Sequence, residues 1–199
     1  MRALVTITCV VALGAMTSPC PAADPLPGRS RTSVALLSGY GFQRDSVRSS
    51  GVSAYRFGFG TRTGVTLPFG GYVGGTFITH IGTNITGTRD GASTYSAVAH
   101  DTYFGPEAGF DLALWHLLLR PYAGAGLLAS FGKTTAAASS ISDNAAFFYV
   151  APGGLIAYRL AELIMGLDLR LPIVLGQSSK KWAPAAMLTV GMALGSPAR

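Results

Sequence analysis

Charged residues are scarce in this chain: Asp, Glu, Lys and Arg make up 12% of its 199 residues, whereas a soluble domain usually has about 25%. Hydrophobic residues make up 49% of the chain, and 26 residues are glycine. The glycines follow no three-residue period, which excludes a collagen-like chain. The shortage of charge is therefore the first feature that a predicted fold has to explain.

Cysteine is almost absent, and both examples, Cys9 and Cys20, lie near the N-terminus. That region has the features of an export signal: Arg2, then the uncharged run ALVTITCVVALGAM, then the small, turn-prone TSPCPAAD. We predict a signal peptide over residues 1–22 and an N-terminal periplasmic extension over residues 23–31. Without residues 1–22 the chain has no cysteine, which predicts an exported protein without a disulfide framework.

Long hydrophobic runs are also missing after residue 22. A membrane helix needs about 20 consecutive apolar residues, and the best candidate is only LALWHLLL, bounded by Asp111 and Arg120. Two classes of protein remain for a hydrophobic, exported chain. One is a soluble β-rich protein, and the other is a closed barrel in an outer membrane, in which each strand needs only about 9–11 residues.

The stretch ELIMGLDLRLPIVLG, residues 162–176, alternates between large apolar side chains and polar or small ones. A helix would spread the apolar residues around its whole circumference, whereas a strand places them on one face. The period of two therefore predicts a β-strand with an apolar face. The opposite face carries Asp168 and Arg170, which would point into the lumen of a barrel or into water outside a soluble sandwich.

Polar or turn-rich breaks divide the chain into about eight such segments. The first, third, fifth and seventh connections are long and polar: QRDSVRSS, TNITGTRDGASTYSAVAH, GKTTAAASSISDN and QSSKKWAP. The even connections are shorter, and this alternation is typical of an outer-membrane barrel with long outer loops and tight periplasmic turns. We therefore predict an all-β fold, an eight-stranded antiparallel up-and-down transmembrane β-barrel, over residues 32–195.

The predicted inward face carries charges of both signs and many glycines. An eight-stranded barrel is just wide enough for side chains to fill it, so we expect the inward glycines to make room for the charged side chains. These glycines are Gly58, Gly60, Gly105, Gly109 and Gly166. The predicted lumen charge cluster consists of Arg56, Arg62, Glu107, Asp111, Asp168 and Arg170. It acts either as a structural plug or as a gate for small solutes.

Residues suited to catalysis or metal binding are few. His80 and His100 both lie toward the predicted outer rim, with Ser93, Ser96 and Asp101 nearby in the sequence. A catalytic triad among them is one hypothesis, but Ser, Thr and Asp are abundant in any such loop. A two-histidine metal site is another, but two ligands make a weak site. We predict no catalytic residues, no metal and no cofactor. The chain also has no phosphate-binding glycine loop and no basic run suited to nucleic acid.

Several phrases of the sequence resemble those of a known family. TGVTLPFGGYVGGTFITHIG, YFGPEAGFDLAL, LLLRPYAGAGL and YVAPGGLIAYRL are similar to the repeating hairpin phrases of small bacterial outer-membrane β-barrel domain proteins with OmpA/OmpX-like architecture. The resemblance covers roughly residues 33–194. It implies an outer-membrane protein and supplies no catalytic residues.

The predicted function is a structural or surface-interaction role in the bacterial outer membrane, reached after signal-peptide export, without catalysis. The expected partners are outer-membrane lipids and a surface ligand bound through the outer loops, and we expect a monomer that binds no nucleic acid. Two alternatives remain open: a narrow pore for small solutes with a charged lumen, and a secreted soluble β-barrel that binds an apolar ligand. The Trp115 and Trp182 side chains are expected at the two membrane interfaces.

Overall fold

The computed structural model describes residues 30–42, 55–82, 85–89, 93–136, 139–175 and 182–195. The predicted signal peptide and nearly all of the predicted periplasmic extension lie outside these ranges. The described residues form eleven strands: β1 (Arg31–Gly41), β2 (Phe57–Thr66), β3 (Gly71–Ile81), β4 (Ile85–Arg89), β5 (Ser93–Phe110), β6 (Leu112–Leu114), β7 (Leu117–Ala136), β8 (Ser139–Leu160), β9 (Leu163–Arg170), β10 (Ile173–Val174) and β11 (Ala185–Gly195). No helix within these ranges is long and apolar enough to cross a membrane.

Eight of these strands form the wall of a closed barrel. The strands β1, β2, β3, β5, β7, β8, β9 and β11 each pair antiparallel with the next. The last strand then pairs with the first, with Arg31 opposite Gly195 and Gly41 opposite Ala185. The short strands β6 and β10 continue the wall beyond β5 and β9, while β4 forms a hairpin with the beginning of β5. The prediction of an eight-stranded antiparallel barrel is confirmed.

The two ends of the barrel differ in their connections. The short ones, residues 67–70, Trp115–His116 and Ala161–Glu162, all lie at the end where β1 begins and β11 finishes, which we call the turn end. Trp115 and Ala161 have φ of 55° and 53°, the left-handed conformation that lets two residues reverse a strand. The opposite end, the loop end, carries the four odd-numbered connections of the wall. The predicted difference in length fails for the fifth of them, because only residues 137–138 separate β7 from β8.

Two predicted loops are wrong. TNITGTRDGASTYSAVAH, residues 83–100, is mostly strand, because it contains β4 and because β5 begins at Ser93. GKTTAAASSISDN, residues 132–144, is also mostly strand, because β7 runs on to Ala136 and β8 begins at Ser139. Phe131 lies opposite Asn144 and Ala136 lies opposite Ser139, so the segment folds back on itself as an extended hairpin. Its Thr residues favour extended backbone and its polar side chains do not oppose it, because both faces can meet water.

The outward face of the barrel is apolar. In β9, Leu163, Met165, Leu167 and Leu169 are exposed, while the residues between them are buried or half-buried. The same alternation places Val34 and Leu36 of β1 and Leu188 and Val190 of β11 outside. A soluble barrel would bury these side chains, since exposed apolar patches of this extent are not stable in water. The wall is therefore built to face hydrocarbon, which opposes the alternative of a secreted soluble barrel.

The inward face is filled by side chains rather than open. Toward the loop end, Tyr55, Tyr103 and Tyr149 pack with Leu128. Toward the turn end, an apolar cluster is formed by Leu118, Leu155, Ala157, Ile164 and Ala193. Charged side chains occupy the space between these clusters.

The inward glycines make room for rings and for neighbouring strands, and the expectation that they accommodate charged groups is wrong. A Cβ added to Gly58 would lie 2.5 Å from the His80 ring, and one added to Gly64 would lie 2.5 Å from the Tyr72 ring. At Gly105 and Gly166, backbone atoms of the adjacent strand would be in the way. These glycines therefore let large rings lie flat against the wall and let strands approach closely.

Candidate functional site: the barrel lumen

Asp168 of β9 is the centre of the lumen network. Its Oδ2 lies 2.7 Å from Arg62 Nη2, and its Oδ1 lies 3.0 Å from Arg170 Nε. The Tyr122 hydroxyl donates to both carboxylate oxygens, at 2.8 and 3.0 Å. All of these residues are buried, and Asp168 has no exposed surface. Because two cations and a phenol converge on one carboxylate, this group links β2, β7 and β9 across the interior.

Glu107 of β5 extends the same network. Arg62 reaches it from the other side, with its Nε 2.5 Å from Glu107 Oε1. The Tyr72 hydroxyl donates to that oxygen at 2.9 Å. Arg62 therefore bridges two carboxylates, Glu107 and Asp168, and its guanidinium also lies 4.6 Å from the centre of the Tyr122 ring. A planar guanidinium with several fixed donors suits such a bridging position better than a lysine would.

A second ion pair lies nearer the turn end. Arg120 of β7 donates to Asp111 through Nε at 2.5 Å and through Nη2 at 2.8 Å, and the Thr66 hydroxyl donates to Asp111 at 2.7 Å. The Arg120 guanidinium also lies 3.6 Å above the centre of the Tyr72 ring. The Tyr72 ring thus separates this pair from the pair formed by Arg62 and Glu107, while contacting both.

The structure brings together four of the six residues in the predicted cluster: Arg62, Glu107, Asp168 and Arg170. Asp111 faces inward but belongs to the separate pair. Arg56 precedes β2 at the loop end, and its side chain is exposed rather than enclosed.

Sequence reasoning alone misses Arg120, Tyr72 and Tyr122. The sequence does indicate that two of them face inward. In LLLRPYAGAG, Arg120 and Tyr122 alternate with outward residues and precede two inward glycines. The position of Tyr72 is also visible from alternation, since Thr76, Ile78 and His80 lie on the same face of β3. Tyrosines near strand ends suggest interfacial residues, but the parity of these two places them inside.

The histidines do not form a common site. His80 faces inward, and its Nδ1 lies 3.1 Å from the backbone oxygen of Arg56. His100 faces outward, stacked on Phe131 with ring centres 4.9 Å apart. Because they lie on opposite faces of the sheet, they cannot share a metal ion or a reacting group. Asp101 faces inward and accepts a hydrogen bond from Ser130 at 2.6 Å. Within the described ranges no three His, Cys, Asp or Glu side chains form a group that could hold a metal.

The ion pairs of the lumen are balanced in charge. Three guanidiniums, of Arg62, Arg120 and Arg170, face three carboxylates, of Glu107, Asp111 and Asp168. Each carboxylate also accepts a hydrogen bond from a hydroxyl. Buried ions are tolerated only when paired and hydrogen-bonded in this way. Chemically, the arrangement holds the wall strands together and fills the middle of the lumen.

Comparisons with known proteins support the fold. No family model and no curated protein matches the chain. Among solved structures, the chain is similar to a major outer membrane protein from Thermus thermophilus, with a TM-score of 0.56 and 13% identity over 83% of this chain and 99% of that one. It is also similar to Ail, the attachment invasion locus protein of Yersinia pestis, in complex with the heparin analogue sucrose octasulfate. That match has a TM-score of 0.51 and 13% identity over 85% of this chain and all of the other.

At such low identity these matches show the fold alone. The N-terminal β-barrel domain of Pseudomonas aeruginosa OprF is a further match, with a TM-score of 0.47 and 15% identity over 81% of this chain and 97% of that domain. The predicted resemblance is confirmed at the level of architecture: the chain has the fold of small bacterial outer-membrane β-barrels.

Proposed function

We propose that this protein is a monomeric bacterial outer-membrane barrel, exported through the periplasm, that contacts a partner outside the cell and has no catalytic role. The turn end faces the periplasm and the loop end faces outward, as is usual for such barrels. The apolar outer face and the filled lumen support a membrane anchor. The contact surface is a sheet that extends beyond the barrel at the loop end.

This projecting sheet carries the proposal. It consists of β4 with residues 93–100 of β5, 131–136 of β7 and 139–146 of β8. β8 has 22 residues, whereas about 9–11 residues are enough to cross a membrane. Roughly half of β8 therefore lies beyond the hydrocarbon layer, and the same holds for β7, which has 20 residues. Paired strands of this length present a fixed surface to a partner.

The outer segments of the sequence also carry an excess of positive charge. Basic residues in the odd-numbered connections and the projecting sheet are Arg44, Arg48, Arg56, Arg89, Lys133, Lys180 and Lys181, and acidic ones are Asp45, Asp90 and Asp143. Such an excess favours polyanionic partners and speeds their association. The similar structure of Ail is that of a complex with a heparin analogue. A sulfated polysaccharide is therefore the first ligand to test.

The test is a variant in which residues 132–143 are replaced by Asn-Gly, so that Phe131 and Asn144 are joined by a tight turn. Because these two residues are direct partners in the ladder, the barrel should fold as before, which a gel-mobility shift on heating would report. Cells displaying this variant should bind immobilised heparin more weakly, because the variant lacks the outer parts of β7 and β8 although its net charge is unchanged. A matched control replaces only Ala161-Glu162, the tight turn at the other end, by Asn-Gly and should bind like the original protein. Unchanged binding by the shortened variant, or no binding by the original, would refute the proposal as stated.

The second candidate function is a narrow pore, favoured by the charges of both signs in the lumen. The ion pairs of Arg62 and Asp168 and the surrounding tyrosines occupy the passage, so we expect planar-bilayer recordings to show no steady steps. Steady single-channel steps would favour the pore instead. Extraction with carbonate distinguishes both from a soluble protein, because an integral barrel stays with the membrane.

A further inference from the structure

A cavity of about 110 Å³ opens within the lumen at the turn end. Its polar lining comes from Arg31 and Ser33 of β1, Thr66 of β2, Asp111, Arg120 of β7 and Arg159 of β8. The rest of its lining comes from Leu118, Ile164 and Ala193 of the apolar cluster and from residues 67, 68, 70 and 113. The network around Asp168 lies deeper in the barrel, and its side chains do not fill this cavity.

The charges around the cavity are not balanced. Three guanidiniums line it, but only one carboxylate does, that of Asp111. Asp111 is already held by Arg120 and by the Thr66 hydroxyl. Among the ion pairs of the described residues, neither Arg31 nor Arg159 takes part. Arg31 and Arg120 lie close enough to repel Arg159, while Asp111 attracts it. The lining therefore carries a net charge of +2.

Arg31 and Arg159 are half-buried, so their surplus positive charge favours an anion beside them. Guanidinium groups bind oxyanions through paired N–H donors, and such charge-assisted hydrogen bonds are about twice as strong as neutral ones. The size also fits: a water molecule needs about 10–15 Å³ of such space, so the cavity has room for one phosphate-sized group. The hydroxyls of Ser33 and Thr66 add polar atoms on the same lining.

We propose that this cavity binds a phosphate-type oxyanion, held between Arg31 and Arg159 at the end of the barrel opposite the projecting sheet. The oxyanion belongs either to a small soluble phosphate compound or to a phospholipid head group that reaches over the rim. The site is independent of the proposed contact with a partner outside the cell, and either proposal can fail without the other.

The experiment uses the full chain folded in micelles of an uncharged maltoside detergent. Inorganic phosphate and glycerol 3-phosphate are added separately while NMR follows the side-chain Nε–H signals of the arginines. The signals of Arg31 and Arg159 should shift and saturate. Replacing Arg159 by Gln should weaken the apparent affinity about tenfold or more, because one charge-assisted contact to the anion is lost. Arg56→Gln is the matched control: it removes the same charge at the other end and should leave the affinity unchanged.

A second arm replaces the soluble compounds by short-chain phosphatidic acid mixed into the micelles. Saturable shifts with phosphatidic acid but not with inorganic phosphate assign the site to a lipid head group, and the reverse assigns it to a soluble phosphate. The proposal is overturned if the original protein shows no saturable shift with any of the three compounds. It is also overturned if a correctly folded Arg159→Gln variant, or Arg31→Gln as a second variant, binds as tightly as the Arg56→Gln control.

Discussion

An arginine placed at Leu169 tests whether the outward face meets hydrocarbon. Leu169 is six residues above Leu163, which begins β9 at the turn end. Six residues rise about 20 Å along a strand, which is roughly 15 Å along the membrane normal at the usual strand tilt of about 35–45°. With an apolar band about 25 Å tall, Leu169 then lies near its middle, where an exposed arginine costs about 2–4 kcal/mol. We therefore expect Leu169→Arg to lower the free energy of unfolding by that amount.

The measurement is urea unfolding in lipid vesicles, followed by tryptophan fluorescence. The matched control is Leu163→Arg, the same substitution on the same face of the same strand but at the rim, where the cost falls to about 0–1 kcal/mol. A difference of roughly 2 kcal/mol between the two variants is the expected result. Equal effects at both depths would show that positions 163 and 169 have the same surroundings. The assignment of this face to the hydrocarbon layer would then be wrong.

Three further predictions concern the interior and the rim. Asp168→Asn leaves two buried guanidiniums without their shared carboxylate and should lower the free energy of unfolding by about 3–5 kcal/mol; a loss below about 1 kcal/mol would contradict the network. Gly64→Ala should destabilise by about 1–3 kcal/mol because its Cβ would press on the Tyr72 ring, whereas Gly154→Ala, whose Cβ meets only one atom at 4.0 Å, should have little effect in the same assay. Trp115, 95% exposed at the turn end, should be quenched more by lipids brominated near the head group than by lipids brominated near the chain end, in a variant whose other Trp is replaced by Phe; the opposite order would place this turn deep in the bilayer.

The barrel is predictable from the sequence because its wall repeats one simple rule. Each strand alternates between lipid and lumen, so the period of two in ELIMGLDLRLPIVLG identifies both faces of β9 without any knowledge of its neighbours. The tight turns are visible for the same reason, as breaks of two residues between long alternating runs. The turn at Ala161 is placed correctly although Ala is not a typical residue for φ of 53°.

The contacts inside the lumen can be predicted only in part. Alternation indicates that Asp168 faces inward, but which arginine it pairs with depends on the stagger between strands, and a linear pattern does not carry that. Arg62 is far from Asp168 in sequence, yet it lies 2.7 Å away. The extended hairpin of β7 and β8 escapes prediction for a different reason. Outside the membrane both faces of a strand are polar, so the alternation that identifies strands disappears there.

The seam between β1 and β11 joins Arg31 to Gly195, the two most distant parts of the described chain. Closing so large a loop costs about 4.5 kcal/mol of chain entropy on a logarithmic scale, whereas each neighbouring hairpin forms locally. The barrel therefore closes only after β11, the last strand, has formed. Until it arrives, two rows of N–H and C=O groups lack partners, and hydrocarbon offers none. Hydrocarbon thus favours the pairing of β1 with β11, and a barrel that lacks this pairing is unstable in the bilayer.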